Sequence, residues 1–189
     1  IPADVNYVGK GGNLLDLGYE RHGATEVIAH YLRSTWLWEK VRVQGGAYGG
    51  FCVFDQHSGA FGFLSYRDPN LVQTLEIYDQ TAAFLRRLDL SEEERVKGII
   101  GAIGTMDAYQ LPDARGYSAM ARTLIGYTDG ARQQYRTEVL GTEPSDFHAF
   151  ADVLDAMRDE AAVVVMGSQA AIERANADHD LGLDVIPMM

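Results

Sequence analysis

An α+β domain, with helices packed on one face of a mainly antiparallel sheet, is the fold this sequence predicts, and three observations predict it. Two aromatic-rich runs, Gly49 to Phe54 and Ala60 to Tyr66, flank the polar stretch Asp55-Gln56-His57-Ser58-Gly59, the pattern of an antiparallel hairpin with a short loop. A long middle section, Asp68 to Arg158, carries apolar residues at helical spacing between helix start and stop signals. Ala161 to Met166 is then a short, continuous apolar run that returns the chain to the sheet. At 189 residues and 47% apolar, the chain fits one domain, residues 1–189, with a sizeable core.

Taken in order, Ile1 to Val8 reads as a strand, and Gly9-Lys10-Gly11-Gly12-Asn13 as the loop after it. That glycine cluster lacks the order of a phosphate-binding loop. Ala24, Val27, Ile28, Tyr31, Leu32 and Leu37 place one apolar stripe on a helix from Ala24 to Lys40, and Trp36 and Trp38 near its end read as packing aromatics. After the hairpin, Asp68 is the expected N-cap of a helix with Pro69 in its first turn, and Leu71, Leu75, Tyr78, Ala82, Leu85 and Leu88 supply its buried side. Ser91-Glu92-Glu93-Glu94 is a capping box, so its carboxylates are explained without catalysis. Val96, Ile99, Ile100 and Ile103 continue the core stripe. Three further helices are expected over Asp113 to Gly126, Asp129 to Leu140 and Pro144 to Arg158. The strand Ala161 to Met166, apolar on both sides, is expected at the centre of the sheet, and Gly167-Ser168 opens a last helix to about Ala177.

Composition excludes several classes of function. A formal charge of -11 and a pI near 4.8 argue against nucleic acid or an anionic membrane as partner, since either needs a basic face, whereas a basic substrate would be drawn in. Cys52 is the only cysteine and lies in the apolar run Phe51-Cys52-Val53-Phe54, so a disulfide within the chain and a cysteine-based zinc site are both excluded, and a buried thiol is expected. His22, His30 and His57 show no zinc-ligand spacing, and His179 sits in a polar tail. No cofactor is expected in this chain. The start at Ile1 rather than Met suggests a longer natural polypeptide.

The stretch that points to chemistry joins the first helix to the hairpin: Arg42-Val43-Gln44-Gly45-Gly46-Ala47-Tyr48-Gly49-Gly50. Four glycines in six residues frame Ala47 and Tyr48, and glycine admits unusual backbone angles and close approach of another chain. A guanidinium and a phenol are thereby set six residues apart across a bend.

This run, with Leu37-Trp38-Glu39-Lys40-Val41 before it and Ser65-Tyr66-Arg67-Asp68-Pro69-Asn70 after it, resembles the last domain of presequence-protease-type enzymes of the pitrilysin and insulinase class of zinc metallopeptidases. Pro2 to Gly12, the Ser91 capping box and Val163 to Ser168 fit as well, so the likeness covers nearly the whole chain. The resemblance implies an ATP-independent clamshell endopeptidase of four related α+β domains that degrades unstructured oligopeptides, its zinc held in the N-terminal half by an inverted HxxEH motif. It implies an organelle matrix if the source is eukaryotic and the cytoplasm if it is bacterial. The partners it implies are a peptide substrate and the zinc-bearing half of the same polypeptide.

Residue by residue, the resemblance carries over to Arg42 and Tyr48 as catalytic residues, the tyrosine steadying the oxyanion of the tetrahedral intermediate. Gly45, Gly46 and Ala47 carry over as substrate-binding, with an extended peptide lying along them in the manner of an added strand. A phenol O–H near a developing oxyanion stabilises it more than it stabilises the ground-state carbonyl, and arginine keeps its charge and its planar fork of donors at any working pH. No HxxEH motif occurs in the chain, so the isolated domain is expected to be inactive. The alternative is a non-catalytic structural or peptide-holding scaffold of the same fold.

Overall fold

The computed structural model describes residues 5–186 and shows a four-stranded, wholly antiparallel sheet with its helices gathered over one face. In chain order the elements are β1 (Tyr7–Asn13), α1 (Ala24–Ser34), a π-helix (Trp38–Gln44), β2 (Gly49–Phe54), β3 (Ala60–Tyr66), α2 (Val72–Asp79), α3 (Thr81–Arg86), α4 (Glu92–Met106), α5 (Pro112–Leu124), α6 (Asp129–Leu140), α7 (Pro144–Glu160), β4 (Ala162–Met166) and α8 (Gln169–His179). The strand order is β2-β3-β1-β4. Fold class and hairpin bounds agree with the sequence reading.

The inner face of the sheet makes the core. Val8, Cys52, Phe61 and Phe63 are buried there. Phe63 stacks on Tyr78 of α2, and Phe61 meets Phe150 of α7 edge to face. Cys52 donates its thiol to the Ala29 carbonyl of α1 at 3.4 Å. Lys10, on the same face, reaches Asp79 at 2.5 Å, which gives its partly buried ammonium a partner where an unpaired charge would be costly.

Several expectations require correction. Residues 1–4 lie outside the described residues, and the strand runs instead through the glycine cluster, Tyr7–Asn13, in the second position from the sheet edge. The reason is close packing: a Cβ on Gly11 would fall inside contact distance of the Phe61 carbonyl oxygen and 2.8 Å from the Gly62 Cα on β3, so glycine is what lets these two strands pair there. β4 is an edge strand rather than a central one, with Val164 70% exposed. A continuous apolar run tells how much oil a strand carries, not which neighbours it has.

The expected helix Ala24 to Lys40 breaks at Thr35. Ser34 and Thr35 turn their hydroxyls back onto the carbonyls of His30 and Tyr31, a local bonding that competes with continued α-winding, and the chain resumes as the π-helix. Asp68 is not an N-cap, since α2 starts at Val72. Its carboxylate is fully buried and accepts from the Asn70 N–H at 2.9 Å and the Thr74 hydroxyl at 2.7 Å. On α4 the capping box forms between Ser91 and Glu94, but Val96 and Ile100 face solvent while Gly98, Ile99 and Ala102 take the buried side.

Candidate functional site

The bend that bears Arg42 and Tyr48 is built by the π-helix before it and the 66–70 turn behind it. Val41 is the one residue of the π-helix that enters the core. The helix ends through Gly45 and Gly46, and Gly46 has φ +79, a left-handed conformation in which a side chain would be strained. Backbone donors of the bend are spent inside the domain. The N–H groups of Gly45, Gly46 and Ala47 reach the carbonyls of Lys40, Arg42 and Val41, and Tyr48 donates to Tyr66 at 3.0 Å.

Pairing of a peptide strand along Gly45, Gly46 and Ala47 therefore finds no free N–H on these residues, and Ala47 is buried. This departs from the strand-addition expectation. Glycine spacing shows where a backbone has freedom, and here that freedom is used to close the helix rather than to leave donors open. What Gly46 still offers is exposed surface without a side chain.

The 66–70 turn locks the bend from behind. The Asn70 side-chain amide donates to the Gly45 carbonyl at 2.6 Å, and Asn6 donates to the Asp68 carbonyl at 3.2 Å. A backbone bridge also joins Asn6 and Asp68. Between them Arg67 sits at φ 49, a region that non-glycine residues seldom adopt, with its side chain exposed. The Tyr-Arg-Asp-Pro-Asn run, together with Asn6, thus acts as a brace: the buried Asp68 carboxylate and the Asn70 and Asn6 amides hold the turn behind Gly45 and Tyr48.

Both proposed catalytic side chains are exposed. Tyr48 is 68% exposed, and its ring rests edge-on against Tyr66 with ring centres 5.7 Å apart; Tyr66 in turn meets Tyr7 at 5.3 Å. Arg42 lies over the Trp38 ring, its guanidinium carbon 4.0 Å from the ring centre. Glu39, the carboxylate nearest in sequence, accepts from Gln44 at 2.8 Å, and among the described residues neither Arg42 nor Arg67 forms an ion pair. The structure brings Arg42 to Trp38 and Tyr48 to Tyr66; it joins Arg42 and Tyr48 to each other by no bond or ring contact among the described residues.

Three residues of this surface escaped sequence reasoning. Trp38 was expected to pack, yet it is 47% exposed, and the signal available was its position four residues before Arg42. Trp36 does pack, stacked on Phe84 with its indole N–H on the Thr81 hydroxyl. Tyr66 and Arg67 carried no local signal beyond the likeness to a known motif. Burial pushes the Cys52 thiol up to about 12, so it is not a nucleophile at neutral pH. Grooves of about 730 and 760 Å³ lie elsewhere, between the hairpin loop and α5–α6 and beside β4. Arg42 and Tyr48 line neither of them; they stand on open surface.

Comparison with known proteins gives concordant results. The family model described as PreP C-terminal domain matches residues 1–169. Presequence protease 1, chloroplastic/mitochondrial, of Arabidopsis thaliana is 54% identical over 176 residues, which cover 93% of this chain and 16% of that protein. The chain thus spans about a sixth of the length of this curated relative. Among solved structures, a provisionally assigned zinc protease from Bordetella pertussis Tohama I superposes with TM-score 0.63 at 19% identity, covering 89% of this chain and 97% of that one. Pitrilysin superposes with TM-score 0.58 at 12% identity, covering 87% of this chain and 18% of that one. At these identities the two structures speak to fold.

Proposed function

The chain belongs to the PreP C-terminal domain family, and from that premise we propose that it is the substrate-facing last domain of a longer zinc metalloendopeptidase that degrades unstructured oligopeptides. Among the described residues no group of three or more His, Cys, Asp or Glu side chains is placed to hold a metal. These residues do not fit a zinc ion, and the zinc-bearing half is assigned to another part of the polypeptide. The role of this chain is to present hydrogen-bond donors to the peptide from across the cleft.

The observation that carries this reading is the mounting of Tyr48. Its backbone is anchored through its N–H to the Tyr66 carbonyl, its ring leans on Tyr66, and the residue is still mostly exposed. A donor held in place before the substrate arrives costs little reorganisation when charge develops on the carbonyl oxygen. Arg42 offers its N–H fork to peptide carbonyls, which orients the chain being cut. Gly45 and Gly46 let that chain pass close to the bend, by surface contact rather than by strand pairing. In the full-length enzyme Tyr48→Phe is expected to lower kcat about 100-fold with little change in KM, as for the loss of one oxyanion donor. An unchanged kcat removes Tyr48 from the chemistry and leaves the scaffold reading. The 189-residue chain alone is expected to show no peptidase activity until the zinc-bearing half is supplied.

A further inference from the structure

We propose that Trp38 is a positioning residue, holding the Arg42 guanidinium ready for the peptide without neutralising it. The inference rests on the role given to Arg42 above and extends it to a residue that touches no substrate.

Three observations lead there. Trp38 is 47% exposed, so covering the core does not account for an indole at this position, in contrast to Trp36 two residues earlier with its stacked phenylalanine and its hydroxyl partner. Trp38 and Arg42 both belong to the π-helix, a winding that is rare and recurs at functional sites, and the guanidinium carbon sits 4.0 Å from the ring centre. The neighbouring charges, meanwhile, are engaged with each other's partners. Gln44 donates to Glu39 at 2.8 Å and accepts from Lys40 at 3.1 Å, so Glu39 is held by an amide rather than by Arg42.

The choice of a ring over a carboxylate has a chemical consequence. A carboxylate would fix arginine by occupying its N–H fork and cancelling its charge. An aromatic face attracts the cation through its quadrupole and leaves the N–H donors free. It also restricts a long side chain before binding, and less freedom is then lost when a peptide carbonyl arrives.

The test uses the full-length enzyme and a quenched fluorescent peptide, with 5-fluoro-, 5,7-difluoro- and trifluorotryptophan placed site-specifically at position 38. Fluorine drains the π face while barely changing the ring's size. The expected result is a stepwise fall in kcat/KM with each fluorine, reaching about fivefold. Trp38→Leu should lose at least as much, Trp38→Phe should recover most of it, and Trp38→Leu should cost nothing further in an Arg42→Ala background. A flat fluorination series with Arg42→Ala strongly impaired overturns the role of Trp38 and leaves that of Arg42 standing. If the Trp38→Leu loss persists in full without Arg42, the tryptophan is structural and the inference fails. If Arg42→Ala is itself without effect, the reading of Arg42 fails first. The fluorinated ring keeps the native shape, so the series decides the matter even where Trp38→Leu folds poorly.

Discussion

The two faces of the sheet are made of similar residues and have different fates. On the inner face Phe61, Phe63 and Cys52 vanish beneath the helices; one position along the same strands, Phe51, Val53, Leu64 and Tyr66 remain about half exposed. Phe51 stands opposite Leu64, and Leu64 opposite Gly9, so the outer face is an apolar surface with a side-chain-free strip through it. It runs on into the aromatic row Tyr7, Tyr66 and Tyr48. A strand pair facing water usually alternates apolar with polar residues, and here it does not. The inner face holds the fold; the outer face adjoins the surface that bears the proposed donors.

Truncating one side chain on each face tests that division most severely. Phe63 is 2% exposed and stacked on Tyr78, and Phe63→Ala is expected to cost about 3–5 kcal/mol of stability. Its neighbour Leu64 points the other way, 43% exposed, and Leu64→Ala is expected to cost under about 1 kcal/mol. Urea denaturation of the two variants gives the comparison directly. Equal losses would mean that the outer face is part of the core.

Two glycines of β1 sharpen the contrast within a single strand. Gly11 lets β1 and β3 approach so closely that a Cβ would collide with the Phe61 carbonyl, whereas a Cβ on Gly9 would meet its neighbours at ordinary contact distance, the Leu64 Cδ2 at 3.4 Å and the Val164 carbonyl oxygen at 3.6 Å. Gly11→Ala is therefore expected to destabilise by about 1–3 kcal/mol, as overpacking does, and Gly9→Ala to be close to neutral. Melting temperatures of the two variants separate them. Similar values would show that the strip is not set by strand packing.

That same cluster marks the boundary of what the sequence discloses. The hairpin was legible to the residue because two aromatic runs flank an unmistakable turn, and the Ser91 capping box because four residues carry the whole signal. β1 was misplaced because glycines in a loop and glycines under a close strand crossing look alike until the partner strand is known. The π-helix was illegible for a related reason. The sequence reading ends one helix at Lys40 and gives Arg42 to Gln44 to the bend, whereas the chain winds without a break from Trp38 to Gln44, after α1 has ended at Ser34–Thr35 and with Val41 packed in the core. The bend and the resemblance single out Arg42 and Tyr48 as candidates, but they do not single out the contacts that support them. Trp38 looked like core, and Asp68 looked like a cap although it is the buried centre of the brace. Local sequence announces turns and caps; it does not announce which side chains meet across 20 or 60 positions.

The smallest expected effect concerns protons, and it belongs to the helical layer over the inner face. His30 of α1 packs its ring against Gly101 of α4, and burial, with Arg33 nearby, holds its pKa below the ordinary histidine value. The unfolded chain therefore takes up a proton near pH 6.5 that the folded chain resists. Stability from this group is full above that pH and falls as pH drops through it. Glu26 on the same helix is pushed the other way, its carboxyl raised by burial despite the Tyr135 hydroxyl that bonds it, and its contribution grows as pH falls through the carboxylate range. The two oppose each other, so total acid sensitivity does not isolate His30; the difference between wild type and His30→Gln does. Between pH 7 and pH 5.5 the melting temperature of His30→Gln is expected to fall less than that of the wild type. Parallel curves would show that the helical layer closes over His30 without sensing its charge.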